Sequence, residues 1–592
     1  MDRLESALAG FAHKGYRFGG FRLDADGTLL HGETKVHLSL KELAALRLLL
    51  ADPGRIVTPQ ELKQALWGDA PVLAESVSKC LVSLRRKLEP EECIETVYKR
   101  GYRISAVVRP LSEPAGPPLR LAILPFATGY GVPEYLGAAV AEEVGRRIGA
   151  ARPALIAIAA RESVSTLAQS GMAPQQIGEM LKAGLILKGS LRALPAHYRL
   201  HAEMIHAADG TQAWVEDLLV ARSRIGGLET ELLNLVNLRM HAGRLSISAS
   251  AAPDDEQQEP EQLARRREAY ELFQRGRFEW QSLERHRMQD ALQHLMRAVE
   301  LDPGLAAARV ELAHLCIAQA YYGFMPPTVA ADLVRGTART PEEIPAGAEG
   351  ILPAMGWISF HLDRNMPAAL EWFRQAELLP YEPWVMRTRT LLALSRHRFG
   401  EAIELLELAM RADPWSAWPQ ARLAWTHHVA GEAAASVQLA NTALERFPLH
   451  EGTQLFGAMI LAFNGEAARA VELAGSLAQR LPYFDLTASA HAYALAMAGH
   501  PDAARAILER LEWLSRERYV LKTFSPAAYV ALGEPEKALA ELRSAEQSRC
   551  PWFFQMLADP RLAPLREQPE FQSMLNILAG MEAEAERDAP EG

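Results

Sequence analysis

The 592 residues carry 63 Lys and Arg against 73 Asp and Glu, a formal charge of −10, and 49% of them are hydrophobic. That length exceeds one core and suggests three or four domains, at roughly 150 residues each. The negative balance excludes a protein that coats nucleic acid or anionic membrane over its whole surface, so any basic face is local.

Four cysteines, Cys80, Cys93, Cys316 and Cys550, form no C-x-x-C pair, which fits a reducing compartment without disulfides or structural zinc. The opening MDRLESALAGFAHKGY breaks its apolar residues with charge and glycine, unlike a signal peptide. The most apolar stretch, Leu305 to Met325, is cut by Arg309, Glu311 and His314 and is no membrane span. The expectation is a cytoplasmic protein with no membrane partner.

Two linker-like stretches, 109–118 (RPLSEPAGPP) and 246–260 within SISASAAPDDEQQEPE, divide the chain into three parts. The first, 17–108, opens with short alternating segments, FRLDADGTLLHG and TKVHLS, that predict a small sheet. Ser39 caps a helix over LKELAALRLLLADPG, and Thr58 with Pro59 and Glu61 opens TPQELKQALWG. A third helix, SVSKCLVSLRRKLE, places Val77, Leu81, Leu84 and Leu88 on one narrow stripe at about 100° per residue. Lys79, Val82, Ser83 and Arg86 gather opposite it, with Arg85 and Lys87 on the flanks. CIETVYKRGYRI then reads as two strands turning at Tyr98-Lys99-Arg100-Gly101.

The second part, 119–245, reads as a small α/β domain. LRLAILPF, LIAIAA, LILKGSLRAL, YRLHAEMIHA and AWVEDLLV are strands, and Pro133 to Ala150, PQQIGEMLKA and a last segment to about Leu245 are helical. The third part, 261–580, repeats: Pro380, Pro414, Pro448 and Pro482 recur at one constant interval, and Gly431, Gly465, Gly499 and Gly533 keep the same one. That interval matches the period of about 34 residues of the tetratricopeptide repeat, helix pairs that close only against neighbouring pairs. AIELLELAMRADP and ALQHLMRAVELDP fit its second helix, six to eight units are expected, and residues 323–350 read as an irregular insertion.

LSLKELAALRLLLADPGRIVTPQELKQALWG, SVSKCLVSLRRKLE and TVYKRGYR, in that order, resemble the OmpR/PhoB-type winged-helix DNA-binding domain. The resemblance implies a third helix in the major groove of double-stranded promoter DNA, a hairpin tip of Tyr98, Lys99 and Arg100 in the minor groove, and a loop after Trp67 facing RNA polymerase. The DNA-facing residues are then Ser76, Ser78, Lys79, Val82, Ser83, Arg85, Arg86, Lys87, Tyr98, Lys99 and Arg100. Arg85 and Lys87 are expected on phosphates, and Val82 suits only a thymine methyl. Trp67 ends its helix and is read as a core plug, which leaves Gly68 and Asp69 as the better polymerase contacts. The middle part resembles a TolB-like domain, and a winged helix joined to tetratricopeptide repeats resembles the HilA-type layout of invasion-gene activators, with no receiver before the winged helix. The fold class is therefore multidomain α+β: a winged helix, a small α/β domain and an all-α solenoid.

Residues 17–108 hold 14 Lys and Arg against 12 Asp and Glu, so one copy should bind weakly, and a homodimer on tandem half-sites is expected. Enzymatic constellations are thin: Gly129-Tyr130-Gly131 is a lone glycine pair, His427 and His428 cannot share a helix face, and His201-Ala202-Glu203 lacks a cysteine pair. No catalytic residue, metal or cofactor is expected. The leading reading is a transcription activator, with type III secretion or virulence genes as targets, whose repeats hold an unidentified protein partner. The alternatives are a repeat-based scaffold and a ligand sensor built on the middle domain.

Overall fold

The computed structural model describes residues 15–588 apart from 25–26, 33, 52–54, 68–73, 90–92, 98–99, 107, 111–118, 152–155, 223–227, 242–259, 281–283, 337–342, 346, 378, 380–382 and 522. Its architecture is mixed: an amino-terminal sheet with three helices, a second sheet flanked by helices, and a long helical array.

In the first unit, β1 (Tyr16–Phe18), β2 (Phe21–Leu23), β3 (Leu29–His31) and β4 (Thr34–Val36) form an antiparallel meander. Three helices follow, α1 (Leu40–Ala51), α2 (Pro59–Trp67) and α3 (Ala74–Lys87), then a hairpin of β5 (Ile94–Val97) and β6 (Gly101–Ile104). The last strand, β7 (Val108–Pro110), returns to pair with β1, Tyr16 opposite Pro110. This corrects the linker boundary: the sheet runs into the proline-rich stretch, and Pro110 is tolerated because β7 is an edge strand, where a missing N–H breaks no inner ladder. Both helix starts are reciprocal capping boxes. Ser39 N donates to Glu42 Oε2 at 2.6 Å and Glu42 N to Ser39 Oγ at 3.4 Å, while Thr58 N donates to Glu61 Oε2 at 2.7 Å and Glu61 N to Thr58 Oγ1 at 3.2 Å.

The core of this unit joins Phe18, Phe21 and Leu23 of the sheet to Leu46, Leu49, Leu62 and Leu66 of α1 and α2 and to the stripe Val77, Leu81, Leu84 and Leu88 of α3. Gly101 fixes the hairpin to it. Tyr102 and Val57 exchange both backbone hydrogen bonds, at 2.8 and 2.9 Å, and a Cβ on Gly101, at φ +147°, would stand 2.1 Å from the Val57 carbonyl oxygen. Only glycine allows that approach.

In the second unit, β8 (Leu119–Ile123) runs parallel to β10 (Ile156–Ile158) on one side and to β11 (Leu185–Ala193) on the other. The short β9 (Ala127–Thr128) also lies beside β11, and β12 (His197–His206) and β13 (Gln212–Ala221) complete an antiparallel meander, giving the order β10-β8-β11-β12-β13. Helices α4 (Glu134–Ala151) and α7 (Leu228–His241) belong to the core on one face. On the other face α6 (Pro174–Leu181) is joined by α5 (Arg161–Gln169), which the sequence reading did not anticipate. RESVSTLAQ has two serines, a threonine and a valine, all weak helix formers, and its buried Val164 and Leu167 hold it in place.

Among the described residues eight helix pairs run from Pro260 to Gln547, with the helices Phe553–Ala558 and Pro569–Asp588 after them, and the second helices of the last five pairs begin at Phe399, Ala433, Ala467, Pro501 and Pro535, in step with the prolines and glycines of the sequence. A recurring clip ties successive pairs. Gln420 Nε2 donates to the Pro414 carbonyl at 3.1 Å and its Oε1 accepts from Arg446 at 2.8 Å; Gln454, Pro448 and Arg480 repeat this one unit later at 2.7 and 3.2 Å. The supposed insertion at 323–350 is corrected too: Pro327–Arg335 is a helix started by Pro327, with Ala330, Ala331 and Val334 buried.

The array also closes on itself. Residues 552–558, buried throughout, lie against helices near its start: Trp552 Nε1 donates to the Tyr321 carbonyl at 2.9 Å and Gln555 Nε2 to the Tyr321 hydroxyl at 3.1 Å. The second unit is fastened to the array by Arg277 with Glu142, by Ser163 Oγ with Asp413, and by Trp415, which packs on the α5/α6 core.

Candidate nucleic-acid interface

Helix α3 carries the candidate surface, and its burial follows the sequence pattern. Val77, Leu81, Leu84 and Leu88 are almost fully buried, while Ser78, Lys79, Val82 and Arg86 are exposed and Ser76 is half-buried. Ser78, Lys79, Val82, Ser83 and Arg86 line one shallow open depression. Long donors around an apolar centre are what base edges and phosphates in a major groove require.

Three of the expected contacts are engaged within the fold. Glu42, buried at the first turn of α1, accepts from Ser83 Oγ at 2.7 Å with Oε1 and from Lys87 Nζ at 2.7 Å with Oε2. Burial alone would raise its carboxyl, but hydrogen bonds from Lys87, the Ser39 backbone and Ser83 outweigh it and bring the group down to about 2. Arg85 points to the hairpin: Nε donates to the Ile94 carbonyl at 3.1 Å and Nη2 to Thr96 Oγ1 at 2.6 Å, with its guanidinium 5.8 Å from the Tyr102 ring centre. Ser83, expected on bases, and Arg85 and Lys87, expected on phosphates, thus each have a partner within the fold. Ser83 and Lys87 brace α3 against α1, and Arg85 is a strut for the hairpin.

Sequence reasoning missed Glu42 in this role. Its capping-box position behind Ser39 is visible, but Ser83 and Lys87 lie 41 and 45 residues away and leave no local pattern. At the hairpin, Arg100 is exposed and Arg103 Nε pairs with Glu95 at 2.8 Å across the strands. Tyr98, Lys99, Gly68 and Asp69 lie outside the described residues, as does the side chain of Trp67. Cys80 is half-buried with its thiol pushed up by burial and by Glu42, which disfavours a reactive thiolate.

Elsewhere the polar groups take structural partners. His201 Nδ1 and Arg199 Nη2 both meet Asp217, at 3.1 and 2.5 Å, on the outer face of the middle sheet. His427 pairs with Glu432 at 2.6 Å, whereas buried His428 approaches Asp559 at 3.6 Å. Tyr130, between two glycines, is fully exposed. Among the described residues no group of three or more His, Cys, Asp or Glu is arranged to hold a metal, and no helix is long and apolar enough to cross a membrane.

A sheet, three helices with an exposed, cation-bearing third, and a docked hairpin define the class: an OmpR/PhoB-type winged helix, the DNA-binding module of transcriptional regulators. Residues 32–104 match the family described as transcriptional regulatory protein, C terminal. Over 120 residues the chain is 42% identical to the transcriptional regulator HilA of Salmonella typhi and of Salmonella typhimurium, a match covering 19% of this chain and 22% of each relative. The chain thus spans about a fifth of the length of these curated relatives. It is also 26% identical over 262 residues, 42% of each chain, to a Rhizobium meliloti protein provisionally named adenylate cyclase 3. Among solved structures it is similar to the type IV pilus biogenesis factor PilW, at 20% identity and a TM-score of 0.29, over 39% of this chain and 98% of that one.

Proposed function

We propose that this chain is a cytoplasmic transcription activator that binds double-stranded promoter DNA through α3 and the β5–β6 hairpin. The observation that carries the reading is the outward face of α3, where Ser78, Lys79, Val82 and Arg86 surround one open depression while the leucine stripe is buried. Ser76, Ser83, Arg85, Lys87, Tyr98, Lys99 and Arg100 complete or support that surface. The loop after Trp67, with Gly68 and Asp69, is the proposed contact with RNA polymerase.

The near-neutral balance of residues 17–108, 14 basic against 12 acidic, supports a homodimer on tandem half-sites, because few phosphates are neutralised by one copy. The TolB-like middle domain and the repeats, fastened together at Asp413 and Trp415, form the regulatory part and bind a protein partner. Similarity to HilA supports virulence or type III secretion genes as targets.

A gel-shift measurement on the full chain tests this: Lys79→Ala with Arg86→Ala abolishes the promoter shift at moderate salt. A folded double variant that shifts DNA normally overturns the placement of α3. Genome-wide binding mapping separates this reading from an interaction scaffold, which gives no discrete promoter peaks.

A further inference from the structure

Among the described residues of the winged helix, Val82 is the only large apolar side chain left mostly in solvent, at 63% exposure. It does not serve the core, which α3 reaches through Val77, Leu81, Leu84 and Leu88. Nor does it serve the helix, since a β-branched residue at an exposed helical site is worse than the Ala, Lys or Arg that could stand there. Its position on the face is central: Lys79, Val82 and Arg86 form one row, and Ser78 and Ser83 complete the lining of the depression. The Ser83 hydroxyl is drawn to Glu42 at 2.7 Å, so the middle of this face offers methyl groups, with exposed Lys79 and Arg86 to either side.

The major groove has one apolar feature that matches such a centre, the C5-methyl of thymine, and its commonest partner for an arginine is the O6/N7 edge of guanine. At ~1.5 Å per residue, Val82 stands ~6 Å along the helix from Arg86 and ~4.5 Å from Lys79. Base pairs are stacked ~3.4 Å apart, so each side chain falls one to two base pairs from the next. Resting on the reading that α3 lies in the major groove, we propose that Val82 is a specificity-determining residue that packs on a thymine methyl, with Arg86 on a guanine one or two base pairs away. Each half-site then contains an obligatory thymine whose methyl, rather than its hydrogen-bonding edge, is recognised.

The test begins with DNA selected from a random pool by the full chain, followed by replacement of each thymine by deoxyuridine, which deletes only the methyl. One thymine per half-site is expected to lose about fourfold in affinity, the effect of removing one buried methyl group. Val82→Ala, at a solvent-facing helical site, keeps the fold and makes that position insensitive to the replacement. Uniform tolerance of deoxyuridine by the unaltered chain overturns the proposal, as does a sensitive position that stays sensitive in Val82→Ala. In either case Arg86→Ala distinguishes the two layers: if it still weakens binding, the groove reading stands without the thymine contact, and if it does not, the groove reading itself fails.

Discussion

Lys87 Nζ lies 2.7 Å from Glu42 Oε2, joining the last turn of α3 to the first turn of α1 through a carboxylate that also caps its own helix. The folded carboxyl, at about 2 against an ordinary 4.5, contributes stability that is complete above about 4.5 and is lost as pH falls through about 2. By linkage the contribution at neutral pH is at most about 3 kcal/mol. Glu42→Gln should therefore reduce hydrogen-exchange protection of Leu40–Ala51 and Ala74–Lys87 at pH 7, and the gap from the unaltered chain should narrow as the pH is lowered below 4.

Arg85 and Arg86 are neighbours with different work. Arg85 is held by Ile94 and Thr96, so Arg85→Ala should loosen the hairpin and weaken DNA binding equally across sequences, with little change in salt dependence. Arg86→Ala should cost about 1–3 kcal/mol and relax preference at one base pair. A salt slope that falls by about one in Arg85→Ala would return Arg85 to the phosphates, where its place on the helix flank first put it.

Gly101 offers a test that touches no DNA-facing group. A Cβ there would sit 2.1 Å from the Val57 carbonyl oxygen, so Gly101→Ala must break the Val57–Tyr102 bridge or strain it, at a cost of about 2 kcal/mol or more. The expected result is lost promoter affinity with the α1–α3 core still protected in hydrogen exchange. Retained affinity would show that the hairpin docks without the bridge.

These sites show what a sequence can and cannot reveal. The α3 stripe, the capping residues Ser39 and Thr58 and the constant interval of the repeats are local, periodic signals, and each corresponds to a feature of the structure. Helix α5 was hidden because RESVSTLAQ has little helical preference and is held by packing on Val164 and Leu167. The partners of Glu42 and the return of β7 to β1 depend on contacts far apart in the chain, which no window of residues encodes.

Asp413 gives the junction between the middle domain and the repeats a pH dependence. Burial, with Glu162 adding repulsion, pushes its carboxyl up to about 6, although hydrogen bonds from Ser163 and the Trp415 backbone oppose the rise. A raised carboxyl stabilises the docked form most at low pH, and that contribution falls as pH rises from about 4 to about 6. Protease resistance of the junction should therefore decline over that range, and Asp413→Asn, which keeps an acceptor for Ser163 without the charge, should flatten the profile.

The last prediction concerns the closure of the array. In an open solenoid each repeat touches only its neighbours, so damage at one end stays there. Here Trp552 donates to the Tyr321 carbonyl, Gln555 reaches both Tyr321 and Ser395, and Arg396 holds Glu582 at 2.7 and 2.8 Å. The Trp552 ring also stacks under the Arg422 guanidinium at 4.6 Å. Trp552→Ala removes a buried indole, at about 3–5 kcal/mol, and leaves the Tyr321 carbonyl without its donor. Exchange should consequently rise in Ala306–Tyr322 and Pro383–Ser395, helices far away in sequence that hold Tyr321 and Ser395, together with the adjacent Ser525–Ala531. Trp552→Phe, which keeps most of the ring contact and loses only the hydrogen bond, should give a smaller loss of about 1–3 kcal/mol. Increased exchange confined to residues after Ser525 would show that the array behaves as an open solenoid despite these contacts.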